Sequence, residues 1–205
     1  MRGERMDRRD GEHLSNAGLG SARKGCLEVV CGSMFSGKTE ELLRRVKRAK
    51  LAKQRVQLFK PKVDDRYDAV KVVSHEGANA DAIPVASTDE LLSLVAGDTA
   101  VVGIDEVQFF DPSIVGAAET LASRGVRVIA AGLDQDYLGQ PFGPISLLMA
   151  VAEYVTKLHA VCARCGAEAS RSQRIVASEG RLFVGGAAAY EARCRSCFVA
   201  EAVVG

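Results

Sequence analysis

Residues Gly32-Ser33-Met34-Phe35-Ser36-Gly37-Lys38-Thr39 follow the spacing G-x-x-x-x-G-K-T, the pattern of a phosphate-binding loop, or P-loop. The apolar segment from Leu27 to Cys31 precedes this phosphate loop and is typical of a buried strand. Leu42, Val46 and Ala49 follow it at the spacing of an amphipathic helix. The order strand, glycine-rich loop and helix is the context in which the pattern binds phosphate, so this stretch decides the fold class.

The residue types of the phosphate loop suit a nucleoside triphosphate. Glycines let the backbone approach phosphate groups closely, and the amide groups at the start of the helix point towards a bound anion. In this pattern Lys38 reaches the β- and γ-phosphates, and the hydroxyl of Thr39 binds Mg²⁺. The loop therefore predicts a triphosphate site with a magnesium ion.

An acidic pair, Asp105-Glu106, closes the continuous apolar segment from Thr99 to Ile104. Such a segment is typical of a parallel strand buried on both faces. In P-loop enzymes an aspartate at this position holds the Mg²⁺ site. Glu106 would then face the γ-phosphate, where it could take a proton from the attacking nucleophile.

Strand and helix patterns alternate through this region, with Ser87 and Glu90 at the spacing of a capping box and Asp111-Pro112 at a helix start. Further strands are predicted at 56–59, 70–74, 126–131 and 154–158, and further helices at 87–95, 111–125 and 146–152. The alternation predicts an α/β fold, a P-loop NTPase parallel sheet with helices on both faces.

Two charged segments leave alternatives open. Six basic residues between Arg44 and Lys53 could contact nucleic acid, but they fit the solvated face of an amphipathic helix better. Asp64 and Arg66 lie in the loop after the second predicted strand, where the carboxyl end of a parallel strand faces the nucleotide. They could act on Mg²⁺ or phosphate, or form a solvated pair.

The composition is that of an ordinary globular protein, with 205 residues, 47% hydrophobic and 26% charged. A net charge of +1 argues against nucleic acid as a partner. The sequence contains neither an apolar run that could span a membrane nor an apparent signal peptide, so we expect a cytoplasmic protein with reduced thiols. Residues 1–24 are poor in large apolar side chains and predict a disordered extension.

Two C-x-x-C pairs mark the C-terminal region, Cys162 with Cys165 and Cys194 with Cys197. Four thiolates suit a closed tetrahedral zinc site of structural type, although a redox role is the alternative. The intervening segment contains Gly185-Gly186 and predicts a lid with pinned ends. The chain is thus divided into the extension 1–24, a nucleotide-binding domain 25–159 and a zinc-binding domain 160–205.

The combination of these motifs resembles one family. The phosphate loop, the segment 104–110, Leu133-Asp134 with 139–143, and the cysteine pairs around Gly185-Gly186 and Tyr190 are similar to those of the zinc-containing thymidine kinases of the human-cytosolic and bacterial type. The resemblance covers about residues 26–198. It implies ATP-dependent phosphorylation of the thymidine 5′-hydroxyl, with Mg²⁺ and structural Zn²⁺. It also implies a zinc-bound lasso over the nucleoside, a homotetramer and feedback inhibition by thymidine triphosphate.

The resemblance also implies roles for individual residues. Glu106 matches the catalytic base, and Lys38 and Arg66 act on the phosphates. ATP is assigned to residues 32–39 (Gly32, Ser33, Met34, Phe35, Ser36, Gly37, Lys38 and Thr39) and to Asp105, Glu106, Val107 and Gln108. The nucleoside is assigned to Met34, Phe109, Leu133, Tyr137, Ser172, Gly185 and Tyr190. Zinc is assigned to Cys162, Cys165, Cys194 and Cys197, and Mg²⁺ to Thr39 and Asp105.

Departures and competing hypotheses accompany this assignment. Tyr137 stands where some members have Phe, and Ser172 stands for Thr, which leaves the preference for nucleoside analogues open. The main alternative is a P-loop ATPase that acts on nucleic acid through its zinc module. A GTPase is disfavoured because the sequence has no N-K-x-D motif. We also expect a zinc-free variant to bind thymidine more weakly while ATP binding survives.

Overall fold

The computed structural model describes residues 25–62, 71–73, 79–176 and 188–200, and at 71–73 and 79–80 it describes the backbone alone. The predicted extension 1–24, Asp64, Arg66 and Gly185 lie outside these ranges, as does most of the predicted lid. All statements below concern the described part of the chain.

A parallel sheet forms the centre of the described residues 25–158. Its described strands are β1 (Cys26–Gly32), β2 (Val56–Pro61), β5 (Ile83–Val85), β6 (Val101–Ile104), β7 (Arg127–Leu133) and β8 (Tyr154–Leu158), in the order β5-β2-β6-β7-β1-β8. A separate antiparallel pair consists of β3 (Lys71–Val73) and β4 (Asn79–Asp81). The described helices are α1 (Lys38–Leu51), α2 (Thr88–Leu94), α3 (Ile114–Ser123) and α4 (Ile145–Val151), with a 3₁₀ helix at Val107–Phe109.

Helices cover both faces of the sheet, as predicted. On one face, Leu42 and Val46 of α1 pack against Val30, Leu58 and Ile129. The other face packs against α2, α3 and α4, through buried side chains that include Val29, Phe59, Leu91, Ile114 and Leu148. Strands buried on both sides explain the continuous apolar segments in the sequence.

The register of the sheet brings three functional segments to one edge. Gly32, at the end of β1, lies opposite Leu133 of β7 and Leu158 of β8. Ile104, at the end of β6, lies opposite Ala130 of β7. The phosphate loop, the acidic pair after β6 and the loop after β7 therefore all begin at the carboxyl edge of the sheet, where ligands bind in open α/β folds.

The C-terminal part contains two short antiparallel pairs. They are β9 (Ala160–Val161) with β10 (Glu168–Ala169), and β11 (Arg171–Arg174) with β12 (Tyr190–Arg193). A small cluster, the buried residues Ala160, Cys162, Ala169, Ala192 and Cys194, joins the two pairs. No helix in the described ranges has both the length and the apolar character that crossing a bilayer requires.

Local differences from the predicted elements have physical causes. The helix predicted to begin at Asp111 begins at Ile114, because the Asp111 carboxylate accepts hydrogen bonds from the Ser113 amide (3.0 Å) and from the Thr88 hydroxyl (2.9 Å). These contacts hold the preceding residues in a turn. The capping box is formed in part: Ser87 Oγ accepts from the Glu90 amide at 3.2 Å, while the Glu90 carboxylate accepts from the Ala86 amide.

Candidate active site

The phosphate loop is held in shape by its own hydrogen bonds. The hydroxyl of Ser36 donates to the Ser33 carbonyl at 2.8 Å, and Lys38 Nζ donates to the same carbonyl at 2.7 Å. Gly37 has φ 84°, and at Gly32 a Cβ atom would lie 2.3 Å from the Leu158 carbonyl oxygen. Glycine is thus required at Gly37 by the backbone conformation and at Gly32 by the close approach of β8.

Charged groups surround the ammonium group of Lys38. Burial lowers its pKa, while the carboxylates of Glu106, Asp105 and Asp134 oppose this shift, in decreasing order. A lysine between carboxylates and a loop of amide donors is suited to a polyanionic ligand, whose negative charge it can neutralise at close range.

Asp105 is buried directly after β6 and faces the start of α1. Thr39 Oγ1 donates to Asp105 Oδ2 at 3.3 Å, and the Glu106 amide donates to Asp105 Oδ1 at 3.0 Å. A hydroxyl and a carboxylate oxygen this close are the hard ligands with which proteins hold Mg²⁺ beside phosphate oxygens. The donor set at Thr39 and Asp105 therefore fits a magnesium ion.

Glu106 has φ 49° and ψ 41°, the left-handed conformation that non-glycine residues rarely adopt. Its Oε2 accepts a hydrogen bond from the side-chain amide of Gln108. The carbonyl oxygen of the same amide accepts from the Leu133 amide at 3.0 Å. The buried Gln108 side chain therefore links the acidic segment after β6 to the end of β7.

Four residues predicted to line the nucleoside site lie in one apolar cluster. Met34 and Tyr190 are buried in it, and Leu133 and Tyr137 pack against them. The guanidinium of Arg174 lies 3.7 Å from the centre of the Tyr137 ring, a cation–π contact. These side chains come from the phosphate loop, the end of β7 with the loop after it, and the C-terminal part, so the cluster is assembled from distant segments.

Two further residues predicted for the nucleoside site, Phe109 and Ser172, are each held by a specific contact. Phe109 packs edge-to-face on Phe142, with ring centroids 5.6 Å apart and an interplanar angle of 85°. Ser172 is buried on β11, and its hydroxyl accepts a hydrogen bond from the Met34 amide at 3.0 Å. Ser33 Oγ also donates to the Ala169 carbonyl at 3.2 Å. The phosphate loop is therefore bonded directly to β10 and β11.

The four cysteines of the C-x-x-C pairs form a single cluster. Their sulfur atoms all lie within 4.8 Å of one another, and Cys165 Sγ lies 3.6 Å from Cys194 Sγ. Zinc–sulfur bonds of about 2.3 Å in a tetrahedron place sulfurs about 3.8 Å apart, so the cluster fits a zinc ion. The amide of Cys194 lowers the pKa of Cys162 to about 6, and the thiol of Cys194 raises that of Cys197 to about 12. A divalent cation would allow all four thiols to ionise.

Asp134 was assigned no role from the sequence, although it follows a buried strand as Asp105 does. Its Oδ2 pairs with Lys157 Nζ at 2.6 Å. Its Oδ1 is buried and has no hydrogen-bond partner among the described residues. The position of an acidic residue directly after β7 is the signal that reveals this third carboxylate beside the phosphate loop.

Comparison with known proteins gives consistent matches. A family model described as thymidine kinase matches residues 25–198. The thymidine kinase of Rhodothermus sp. (strain ITI 518) is 56% identical over 174 residues, which are 85% of this chain and 81% of that protein. The thymidine kinase of Bdellovibrio bacteriovorus is 53% identical over 178 residues, 87% of each chain. A solved domain of the bacteriophage phi29 DNA packaging ATPase is 17% identical, with a TM-score of 0.37, and covers 63% of this chain and 81% of its own.

Proposed function

The chain belongs to the thymidine kinase family, and from this premise we propose how its residues carry out the reaction of that family. The reaction transfers the γ-phosphate of ATP to the 5′-hydroxyl of thymidine and gives thymidine monophosphate and ADP. The observation that carries the proposal is the position of Met34. This residue belongs to the phosphate loop and is also buried in the apolar cluster with Tyr190, so one loop borders both substrates.

The triphosphate of ATP occupies the phosphate loop, residues 32–39. Loop amides and Lys38 Nζ neutralise the charge that moves to the β–γ bridging oxygen as its bond to the γ-phosphorus breaks. Mg²⁺, held by Thr39 and Asp105, supplies further neutralisation of the phosphates when it is bound. Arg66 is proposed as another phosphate contact, on its position in the motif alone.

Thymidine occupies the cluster of Met34, Leu133, Tyr137 and Tyr190, with Phe109, Ser172 and Gly185 as further proposed contacts. Its 5′-hydroxyl oxygen forms the new bond to the γ-phosphorus, and the hydroxyl proton passes to the carboxylate of Glu106. An apolar pocket around the acceptor favours the nucleoside hydroxyl over water as the nucleophile.

Zinc bound by Cys162, Cys165, Cys194 and Cys197 would join the two antiparallel pairs of the C-terminal part. A cytoplasmic location is proposed from the sequence, and a homotetramer and inhibition by thymidine triphosphate are proposed from the family. Light scattering on the purified protein tests the tetramer, and a thymidine triphosphate titration of the kinase assay tests the inhibition.

One assay tests the function. ATP consumption is measured alone, with thymidine, and with single- or double-stranded DNA. We expect turnover that depends on thymidine and is unaffected by DNA. ATP hydrolysis that is stimulated by DNA and indifferent to thymidine would refute the proposal and favour a P-loop ATPase acting on nucleic acid.

A further inference from the structure

Gln108 occupies an unusual position for a polar side chain. It lies in the 3₁₀ helix Val107–Phe109, directly after the acidic pair, and is only 3% exposed. A buried amide must find hydrogen-bond partners or destabilise the fold. One of the hydrogen bonds of the Gln108 side chain connects it to Glu106, the residue proposed as the catalytic base.

The hydrogen bonds fix which way the amide points. The Leu133 amide can only donate, so the group that faces it at 3.0 Å must be the carbonyl oxygen of Gln108. The NH₂ group therefore faces the other way, where it donates to Oε2 of Glu106. Reversing the amide would place two donors together and two acceptors together, so only this orientation allows both hydrogen bonds to form.

The surroundings leave the Gln108 side chain little room to move. A Cβ atom at Gly132 would lie 2.4 Å from Gln108 Oε1, and a Cβ atom at Gly143 would lie 2.2 Å from the Gln108 carbonyl oxygen. Two glycines thus allow β7 and the loop after it to close around this residue. The Glu106 backbone is held as well, in a left-handed conformation with its amide bonded to Asp105.

We propose that Gln108 is a positioning residue that holds the Glu106 carboxylate for the acceptor hydroxyl. By fixing Oε2, it sets the direction of Oε1 and keeps the carboxylate from turning towards Lys38, whose ammonium group attracts it. The inference rests on the proposed function, because it gives Gln108 a task only if Glu106 takes the proton. It differs from the ATP contact that the family resemblance assigns to Gln108.

The test separates these roles by kinetics in two backgrounds. Gln108→Met removes both hydrogen bonds, while Gln108→Glu keeps an acceptor for the Leu133 amide and replaces the donor to Glu106 by a second carboxyl group, which repels the Glu106 carboxylate or shares a proton with it. We expect either change to lower kcat about 10–100-fold, as small misplacements of reacting groups do, with the KM values for ATP and thymidine nearly unchanged. In a Glu106→Gln background, adding Gln108→Met should lower kcat by less than about twofold, because the group it positions is already lost.

Gln57→Met is the matched control. Gln57 Oε1 accepts from the Ala96 amide at 2.8 Å and its Nε2 donates to the Leu94 carbonyl at 2.9 Å, on β2 and away from the acidic pair. It should lower the unfolding temperature without a selective loss of kcat. Should Gln108→Met fail to fold, Gln108→Glu provides a second comparison with the Leu133 bond retained, measured at a pH where both carboxyl groups are ionised and the Glu106 carboxylate has no donor from residue 108.

Three outcomes would overturn the inference. In the first, Gln108→Met lowers kcat by the same factor with and without the Glu106→Gln change, which indicates a general structural role. The second is a raised KM for ATP at constant kcat, which indicates a nucleotide contact. The third is wild-type kinetics in Gln108→Met, which has no donor for Glu106. If Glu106→Gln itself retains full kcat, the proposed base is wrong, and that result is distinct from a failure at Gln108.

Discussion

At the scale of single residues, the proposed chemistry depends on three charged side chains that converge from two segments. Lys38 comes from the start of α1, and Asp105 and Glu106 follow β6. The sequence could predict where all three lie, because each sits at a fixed distance from the end of a buried strand, while their roles stay a prediction. The glutamine that links Glu106 to β7 could not be predicted in this role, since its partner Leu133 is 25 residues away in the chain.

Replacement of Lys38 by alanine should reduce kcat by more than about 10²-fold, the loss typical when one preorganised donor at a reacting centre is removed. The cause is the loss of neutralisation at the β- and γ-phosphates. Steady-state kinetics with thymidine measure this, with Lys47→Ala as the control, an exposed lysine of the same helix. Near-normal turnover in Lys38→Ala would contradict the assignment of the phosphate loop.

Substitution of the two acidic residues should impair different steps, the chemical step for Glu106 and the binding of ATP for Asp105. Glu106→Gln keeps the size of the side chain but cannot take the proton, so kcat should fall about 10²–10⁴-fold with substrate binding retained. Asp105→Asn should instead weaken the Mg²⁺-dependent binding of ATP. Calorimetric titration of ATP with and without Mg²⁺, beside kinetics, distinguishes the two. Identical behaviour of both variants would show that the division between base and metal ligand is wrong.

At the scale of elements, α1 shows what helical periodicity can and cannot predict. Its apolar face was predicted correctly, with Leu42, Val46 and Ala49 buried. Its basic residues were expected to be solvated, yet the Arg45 side chain is only 12% exposed and pairs with Glu28 on β1 (2.7 Å) and with Glu41 (2.7 Å). A helix pattern reveals which residues share a face, but not which charged residue a neighbouring strand will offer.

This ion-pair network predicts a dependence of stability on pH. The hydrogen bond from Arg44, reinforced by Arg45, lowers the pKa of Glu41 from 4.5 to about 2. A carboxylate with a lowered pKa in the folded state stabilises the fold above its unfolded pKa, and this contribution is lost as the pH falls from about 4.5 towards 2.

Glu41→Gln should therefore reduce the free energy of unfolding by about 1 kcal/mol at pH 7, and the difference should vanish near pH 2. Urea unfolding of wild type and variant across this pH range measures it. Glu119→Gln, at an exposed glutamate of α3, is the control. A difference that stays constant from pH 7 to pH 2 would mean that the Glu41 charge does not contribute.

At the scale of the whole molecule, the part that carries the phosphate loop and the part that carries the four clustered cysteines are not independent. Ser33 and Met34 of the phosphate loop bond to Ala169 and Ser172 of β10 and β11. The sequence predicted the phosphate loop and the clustering of the cysteine pairs. It could not predict the contacts between them, because neither motif encodes the direction in which a β-hairpin folds back.

Removal of zinc should consequently weaken ATP binding as well as thymidine binding, in contrast to the expectation from sequence that ATP binding would survive. Without the metal, the segments that hold Ser172 and Ala169 lose their anchor, and two loop residues lose their partners. Chelation of the wild type and the Cys194→Ser variant both test this, with nucleotide affinity measured by calorimetry. Unchanged ATP affinity in the zinc-free protein would show that the two hydrogen bonds do not transmit the effect.

The bond between the Met34 amide and the Ser172 hydroxyl also bears on how such proteins diverge. A chimera that took its C-terminal part from a relative would inherit the original phosphate loop intact, yet it would function only if the donated part supplied a hydroxyl at position 172. A serine or threonine hydroxyl can accept the hydrogen bond of the Met34 amide, while alanine or valine would leave that amide without this partner. The shape of the phosphate loop thus depends on Ser172, which lies 138 residues further along the chain and outside the phosphate-loop motif.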